Sequence, residues 1–487
     1  MLKRLLFSID QLQPLDRGRW LAVIALLKGI LFALLAFYFA KNWEAEKIVS
    51  GIAIHSGDTN SYLRPILDVI KGNGYTSICR MPGLLPIYAP LALLFGNTAG
   101  EAALVVVQFF LAVIAVYTLA KWTFDISGSK RAFLAVLILA SLSTFTGVWD
   151  HYIYMESLSV SALIIGLYQV KQFLANNQWS YLWQAAILLA WCVFLRPILI
   201  MVFPVVLVYV LAHFYGKTSF VSKVKRLVVL IFPLLLSIGI WSAYSKNRTG
   251  ERIILQGSFE QCYRQMPEHH LHVRDLMIAW GGDFQEWSEN TEFAWFIRKK
   301  ENKTFVFPDR IYTSAYNLDS LKVLRQQYQL AANDTLTAEQ RGIAMAKVID
   351  ASDRFLASFK KEKPFDYWVK NRILLLKKFI VPGHVDNLPF VSVNQMSADQ
   401  FLIKLWSVIL FHLVLVLGTL SALYLFFTQM KHYWLLAGFA LATIFLLGPV
   451  LGFIEQRYLV PAYPLLLVCL VNFISSFFGR WKFFQAK

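Results

Sequence analysis

Ten apolar stretches of membrane-spanning length run through this chain of 487 residues. A helix needs about 20 residues to cross the hydrocarbon of a bilayer, and only helices or closed barrels can satisfy their backbone hydrogen bonds there. The hydrophobic content of 57% also exceeds that of soluble domains. The sequence therefore predicts an all-α polytopic membrane protein. We place its spans near 20–40, 101–120, 132–149, 157–174, 181–195, 198–215, 227–245, 401–427, 433–453 and 458–478.

Lys and Arg residues between the spans set the predicted orientation, because cytoplasmic loops are rich in both. The N-terminal segment is basic, so we expect it in the cytoplasm. The later basic clusters are separated from one another by even numbers of spans, which is consistent with a common cytoplasmic side. They lie near 121–131, 217–226, 431 and 480–487.

The segment from Met81 to Phe95 is apolar but is not predicted to cross the membrane. It is only about 15 residues long, contains three prolines, and would invert every later loop if it crossed. Just before it, apolar residues recur at helical spacing beside charged ones, as in a short helix on a membrane surface. The chain thus divides into a seven-span module (1–245) with a first outer loop (41–100), an extracytoplasmic region (246–400) and three C-terminal spans (401–487).

The extracytoplasmic region is predicted to be mostly helical. Thr337 and Gln340 have the spacing of a capping box, and apolar residues then follow a 3.6-residue period up to Pro364. Acidic and basic residues nearly balance in this region, so most of the net charge of +17 belongs to the membrane portion. Topology and contact with membrane lipids explain that charge, which argues against a nucleic-acid partner.

Asp58 follows the first span, at the start of the predicted surface helix. An Asp at such a position is a good helix N-cap, because its carboxylate accepts backbone N–H bonds. A carboxylate at the outer membrane face equally suits the base that deprotonates an acceptor hydroxyl, and an inverting displacement at a sugar carbon needs one such group. Both interpretations are open for Asp58 alone.

Three arginines lie at the predicted outer face, namely Arg80, Arg196 and Arg457. Each one alone is more simply explained as a side chain that reaches the headgroups from the end of a span. Three of them on the face where basic residues are disfavoured indicate a function. Because the planar guanidinium group matches a phosphate, we expect these arginines to hold a lipid-linked phosphate at the level of the headgroups.

Further polar residues lie in the outer turns. Asp150 and His151 occupy the turn between the third and fourth spans, where polar side chains are normally solvated. Glu156 opens the fourth span, and a carboxylate at that boundary is costly unless it is paired or used. Glu455 and Arg457 are close in sequence, and a pair between them is slightly favoured over a direct role in substrate binding.

Five short motifs with a predicted outer location follow one another along the chain. They are Gly57-Asp58-x-x-x-Tyr62, Arg80-x-Pro82-Gly83-x-x-Pro86, Glu156, Leu195-Arg196-Pro197 and Glu455-x-Arg457-Tyr458-x-x-Pro461. In this order they resemble the integral-membrane glycosyltransferases of the GT-C class, which include the dolichyl-phosphate-mannose protein mannosyltransferases and the bacterial aminoarabinose and arabinosyl transferases. The resemblance covers the first seven spans and the final pair, and it has no counterpart in 250–400.

The resemblance implies a polyprenyl-phosphate-linked sugar as donor and a glycan, lipid or protein as acceptor. Asp58 would activate the acceptor hydroxyl, and the three arginines would neutralise the leaving phosphate. Many relatives of the mannosyltransferase branch have an acidic pair at the first-loop position, whereas Thr59 follows Asp58 here. Glu156, the second catalytic candidate, and Asp150 are therefore alternatives for the base. The predicted substrate-binding residues are Tyr62, Arg80, Asp150, His151, Arg196, Glu455 and Arg457.

No obligatory cofactor is expected, because a monophosphate leaving group held by arginines requires no metal. A divalent ion between Asp58 and another carboxylate is the alternative. We expect a multi-pass protein of the bacterial inner (plasma) membrane, with its active site on the extracytoplasmic side. A transporter or lipid flippase is the main alternative, but such proteins tend to have internal repeats and polar helices at the bilayer midplane. A non-catalytic assembly subunit is a third interpretation.

Overall fold

The structure, a computed structural model, consists largely of helices. The strands in the part of the chain that it describes are one antiparallel pair, Ile48–Val49 with Ala53–Ile54. The chain divides into two compact units, the first formed by Met1–Gln256, Gly383–Thr443 and Gln456–Lys487, and the second by Gly257–Pro382 and Ile444–Glu455. The described residues are 13–14, 16–42, 47–77, 79–216, 218–256, 268–282, 291–298, 305–381, 388, 393–452 and 455–485.

Helices long and apolar enough to cross a bilayer confirm the predicted all-α polytopic fold. An internally bonded helix satisfies every backbone group, as hydrocarbon requires. Six helices among the described residues are long and apolar enough, and a pair bent by 49°, Lys130–Ser141 with Thr144–Asp150, is a seventh when the two helices are counted as one span. The six are Arg17–Asn42, Asn97–Ser127, Glu156–Asn176, Phe220–Thr249, Ala398–Thr428 and Met430–Leu447.

Shorter apolar helices lie at the positions of the other predicted spans. Trp179–Leu195, Pro197–His213 and Tyr463–Phe477 coincide with them, whereas Pro82–Phe95 is the segment that we expected not to cross. Several of these helices begin with a short 3₁₀ helix or contain a short π-helix. A separate helix covers the first-loop segment predicted to lie on the membrane surface. These elements are Thr59–Ile70, Pro82–Leu84, Leu85–Phe95, Pro197–Met201, Val202–His213, Leu413–Leu417, Trp434–Gly438, Gln456–Tyr458 and Tyr463–Gln485.

Local sequence signals set several helix ends in the first unit. Ser129 accepts a hydrogen bond from the backbone N–H of Ala132, and Ser219 accepts one from Ser222. Just before Ser129, the helix Asn97–Ser127 ends at Gly128, whose φ of 64° is left-handed. Glycine adopts this conformation without a Cβ clash, so a sharp turn to the next helix is available there.

Gly83 allows the segment after Arg80 to pack against the end of the helix Trp179–Leu195. A Cβ atom at this position would lie 2.4 Å from the backbone carbonyl of Phe194, so any larger residue would push the two segments apart. The Trp191 indole also donates a 2.9 Å hydrogen bond to the Gly83 carbonyl. Because Arg196 directly follows that helix, this contact places Arg80 and Arg196 at the same end of the helices.

The second unit has a core of aromatic side chains. The capping box predicted at the start of one of its helices is present, because Thr337 and Gln340 exchange hydrogen bonds of 3.1 and 3.2 Å. His269 is buried beside Tyr328, and burial lowers the pKa of its imidazole to about 4. The helices of the unit are Glu268–Ala279, Glu292–Ile297, Leu318–Ala331, Ala338–Glu362 and Asn371–Ile380.

Candidate active site

Asp58 directly precedes the helix Thr59–Ile70, but its carboxylate does not cap that helix. Its backbone is already helical (φ −88°, ψ −14°), whereas a capping residue normally has extended dihedral angles. Its Oδ1 lies 3.1 Å from Nη2 of Arg80, and its Oδ2 accepts a 2.9 Å hydrogen bond from Nη1 of Arg457. The side chain is 33% exposed. The structure therefore gives Asp58 two arginine partners in place of a capping role.

Arg80 is fixed by the first turn of the helix that follows Asp58. Its Nε donates a 2.9 Å hydrogen bond to Ser61, and its Nη1 donates a 3.0 Å bond to the Tyr62 hydroxyl. The guanidinium carbon lies 4.3 Å from the centre of the Tyr62 ring. Burial raises the pKa of the Tyr62 hydroxyl, although the charge of Arg80 opposes the shift, so the hydroxyl stays protonated at neutral pH.

Glu156 and Arg196 form a second ion pair at the same end of the helices. Nη1 of Arg196 lies 3.1 Å from Oε1 of Glu156, and the two side chains are 10% and 2% exposed. The same nitrogen donates a 3.2 Å hydrogen bond to the backbone carbonyl of Arg457. The guanidinium carbons of Arg196 and Arg457 lie 5.2 and 5.6 Å from the centre of the Tyr458 ring. Arg196 therefore links Glu156 to the segment that carries Arg457.

Six of the predicted site residues thus form one connected group, which we call the Asp58 cluster. The sequence placed them on one face of the membrane but did not predict which side chains would pair. Its members are Asp58, Tyr62, Arg80, Glu156, Arg196 and Arg457.

Tyr154 supports this cluster and was missed by the sequence analysis. Its hydroxyl accepts a 3.1 Å hydrogen bond from the backbone N–H of Asp58 and also contacts the Ser56 hydroxyl. Its ring packs edge-on against Tyr62 at 5.7 Å. No sequence signal separates Tyr154 from the many other aromatic residues of the chain, because its role depends on a contact with a residue 96 positions away.

Asp150 lies in a separate, buried arrangement. Its Oδ2 is 2.7 Å from Nζ of Lys28, both side chains are 4% exposed, and its Oδ1 accepts a 2.6 Å hydrogen bond from Ser157. These three residues line a small cavity within the first unit. The expectation of a solvated turn is therefore wrong for Asp150, because a lysine from the first span neutralises the carboxylate inside the protein.

His151 is also buried, next to Asp150 in sequence. Its ring stacks on Phe32 at 3.7 Å, and its Nδ1 lies 3.0 Å from the carbonyl oxygen of Ile52. Burial lowers its pKa to about 4, so the imidazole is neutral at physiological pH. Among the described residues, no hydrogen bond or ion pair joins the side chain of His151 or Asp150 to the Asp58 cluster. The structure thus does not bring these two predicted substrate-binding residues to the site.

Glu455 belongs to the second unit and is partly buried. Its predicted contact with substrate stays a prediction. Among the described residues, no three His, Cys, Asp or Glu side chains lie close enough together to hold a metal ion. Both oxygens of Asp58 contact guanidinium groups, so this donor set gives no support to a divalent ion there.

Residues 82–241 match the model of the family described as dolichyl-phosphate-mannose-protein mannosyltransferase. This segment contains Glu156 and Arg196 and begins two residues after Arg80. The predicted resemblance to integral-membrane glycosyltransferases of the GT-C class is therefore confirmed over this segment. A comparison with curated proteins finds no match to the chain.

Two solved structures are similar to this chain. The archaeal oligosaccharyltransferase AglB from Archaeoglobus fulgidus, in complex with an inhibitory peptide and a dolichol-phosphate, matches over 97% of this chain at 13% identity, with a TM-score of 0.47. The chain spans 52% of the length of that protein. ArnT from Cupriavidus metallidurans, bound to undecaprenyl phosphate, matches over 93% of this chain and 78% of its own at 10% identity, with a TM-score of 0.36.

Proposed function

We propose that this chain is a GT-C glycosyltransferase that moves a sugar, with inversion, from a polyprenyl-phosphate-linked donor to an acceptor hydroxyl. The reaction takes place at the extracytoplasmic face of the bacterial inner membrane. The observation that carries this proposal is the position of Asp58 between Arg80 and Arg457. One cluster thereby holds a carboxylate base together with cations for a leaving phosphate.

Asp58 is the general base of the proposed reaction. The acceptor oxygen forms a bond to C1 of the sugar while its proton moves to a carboxylate oxygen of Asp58. The bond between C1 and the phosphate oxygen breaks, and its electron pair leaves with the polyprenyl phosphate. Attack on the face opposite the phosphate inverts the configuration at C1. Asp58 is 33% exposed and Glu156 only 2%, so access favours Asp58 as the base and Glu156 as the group that positions Arg196.

The arginines of the cluster stabilise the departing phosphate. Negative charge grows on the phosphate oxygens as the C1–O bond breaks, and donors that are already in place stabilise that charge without reorganisation. Arg80 and Arg457 are held by Asp58, and Arg196 is held by Glu156. A guanidinium group has five N–H donors, so it can contact a carboxylate and a phosphate at the same time.

The second unit is the proposed site of acceptor recognition. It lies largely within 246–400, the soluble segment that the sequence predicts to be extracytoplasmic. The acceptor is a glycan, a lipid or a protein with a free hydroxyl group.

The test is the fate of lipid-linked sugars in cells that lack this chain. We expect a polyprenyl-phosphate sugar to accumulate after deletion of the gene, as measured by mass spectrometry of extracted lipids. The wild-type chain should clear it, whereas Asp58→Asn should not. Unchanged lipid-linked sugars after deletion would contradict the proposal. Accumulation confined to the cytoplasmic leaflet, and cleared equally by Asp58→Asn, would indicate the flippase alternative.

A further inference from the structure

A basic cluster lies at the start of the helix Phe220–Thr249, in the first unit. Its members are Lys223, Lys225 and Arg226, and we call it the Arg226 cluster. Nζ of Lys223 lies 5.3 Å from the Tyr215 ring centre, and Nζ of Lys225 lies 5.2 Å from that of Trp179. Aromatic rings thus hold the two ammonium groups beside the arginine.

Arg226 is buried although it is charged, with an exposed fraction of 5%. Its Nη1 donates to the hydroxyl and to the backbone carbonyl of Ser222, and its Nη2 donates a 3.1 Å hydrogen bond to the Asn177 side chain. The guanidinium carbon lies 4.1 Å from the centre of the Phe214 ring. Its Nε is buried and has no hydrogen-bond partner among the described residues. Uncharged partners therefore accept hydrogen bonds from only some of the N–H donors of this guanidinium group.

The other buried Lys and Arg side chains among the described residues have carboxylate partners. Three Lys and Arg side chains are buried among the described residues, and Lys28 and Arg196 pair with Asp150 and Glu156. No described Asp or Glu side chain forms an ion pair with any member of the Arg226 cluster. A buried charge without a counter-ion is unfavourable, so an anion bound beside Arg226 would stabilise it.

The helix ends around the Arg226 cluster do not supply that charge. The helices that end at Asn176 and His213 present partly negative carbonyl groups, each end equivalent to about half a charge. The helix that carries the cluster begins at Phe220 and presents the opposite, positive end to the same region. Three full positive charges therefore exceed the compensation available from the backbone, and the free N–H groups of a helix start favour an anion.

The Arg226 cluster lies at the membrane face opposite the Asp58 cluster. Glu156 opens the helix Glu156–Asn176, and Asn177, which bonds to Arg226, follows its other end. A helix of 21 residues is about 30 Å long, which equals the thickness of the hydrocarbon core. The two clusters are therefore separated by about one bilayer.

Exposed apolar side chains adjoin the Arg226 cluster in sequence. Tyr215, Phe220 and Val221 are 82%, 78% and 75% exposed. Residues of this kind at a membrane boundary contact the headgroups and the first part of the acyl chains. Cations for a phosphate and apolar contacts for its acyl chains thus occur together, which matches a phospholipid better than a free anion.

We propose that the Arg226 cluster binds the phosphate headgroup of an anionic phospholipid in the leaflet opposite the Asp58 cluster. Lys223 and Lys225 contact the phosphate at the surface, and Arg226 supplies the inner charge. The lipid ties the turn at Asn177 to the start of the helix Phe220–Thr249. This site does not depend on the proposed transfer reaction.

The test is lipid binding by the full-length protein purified in detergent. Dioctanoyl phosphatidylglycerol, dioctanoyl phosphatidylcholine and inorganic phosphate are titrated, and binding is followed by melting temperature and by native mass spectrometry. The double variant Lys223→Gln/Lys225→Gln removes two exposed or half-exposed charges and leaves the buried contacts intact. Lys431→Gln removes an exposed lysine of another predicted cytoplasmic turn, so it serves as the matched control.

We expect wild type and Lys431→Gln to bind phosphatidylglycerol in preference to phosphatidylcholine. The double variant should lose about tenfold or more in affinity for phosphatidylglycerol, with the same melting temperature as wild type when no lipid is added. Equal binding of the two lipids, equal stabilisation by inorganic phosphate, or full affinity in the double variant would each overturn the proposal. If the double variant is unstable, Lys225→Gln alone must still show a selective loss of phosphatidylglycerol binding.

Discussion

Arg457 donates a 2.9 Å hydrogen bond to Asp58 although 399 positions separate them in the chain. This bond joins the first loop to the segment before the last span. The same carboxylate also contacts Arg80, so one negative charge positions two guanidinium groups. Asp58 therefore has two roles in the proposed reaction, as the base and as the anchor of the arginines, and these roles respond differently to substitution.

Arg80→Lys should weaken binding of undecaprenyl phosphate by about 10- to 100-fold, the effect of one or two lost bonds to a charged group. Lysine keeps the charge, but a single ammonium group cannot reproduce the three contacts to Ser61, Tyr62 and Asp58. Affinity in nanodiscs and melting temperature are the measurements. Full affinity, or a loss that occurs only with unfolding, would mean that Arg80 anchors the helix and does not bind the lipid phosphate.

Tyr154→Phe should lower turnover by about tenfold, because it removes the hydroxyl that holds the backbone of Asp58 and contacts Ser56, and keeps the ring. Binding of undecaprenyl phosphate should not change. Tyr117→Phe is the matched control, since its hydroxyl likewise forms a hydrogen bond with the backbone, in this case by donating to the carbonyl of Pro14, far from the cluster. Turnover is measured with lipid-linked sugar from the deletion strain. Equal turnover in the two variants would remove Tyr154 from the site.

Lys28→Met should destabilise the first unit by about 3–5 kcal/mol, because it leaves the Asp150 carboxylate buried without its cation. Adding Asp150→Asn removes that charge and should restore part of the loss. Lys322→Met, which breaks an exposed pair with Asp319, should have little effect. The free energy of unfolding of all three variants is measured by denaturation of the purified protein. If Lys28→Met is as stable as wild type, the buried pair does not stabilise the turn that contains Asp150.

The sequence predicted local features better than pairings. The capping box of Thr337 and Gln340 requires residues three apart, so the sequence alone predicts that helix start. The bond between Arg457 and Asp58 was harder to predict, because 399 positions separate the two residues and they become neighbours only on folding.

The orientation of the turn that contains Asp150 and His151 was also unpredictable. Asp150 was predicted to bind substrate from an outer turn, yet it is buried in an ion pair with Lys28, which belongs to the otherwise apolar first span. A buried lysine in a hydrophobic helix carries no indication of which carboxylate it will meet.

Acidification should destabilise the second unit through His269. Burial lowers its pKa to about 4, below the ordinary value of about 6.5, so between these pH values the unfolded chain binds a proton that the folded protein does not. Stability therefore falls as the pH decreases through this window. His269→Phe keeps an aromatic ring, and its melting temperature should decrease less between about pH 7 and pH 5. Parallel curves for the variant and wild type would contradict this assignment.

The role of Asp58 as the base is tested by Asp58→Asn, with turnover and affinity for undecaprenyl phosphate measured on the same preparation. Asparagine keeps the shape of the side chain but cannot accept the acceptor proton, so turnover should fall by about two to four orders of magnitude. Affinity for undecaprenyl phosphate should change much less than turnover, because the amide oxygen still accepts a hydrogen bond from one of the two arginines, and the loss of the other anchor is offset by removal of a carboxylate that competes with the phosphate. Near-normal turnover, or a loss of turnover matched by an equal loss of phosphate binding, would contradict the assignment of Asp58 as the base.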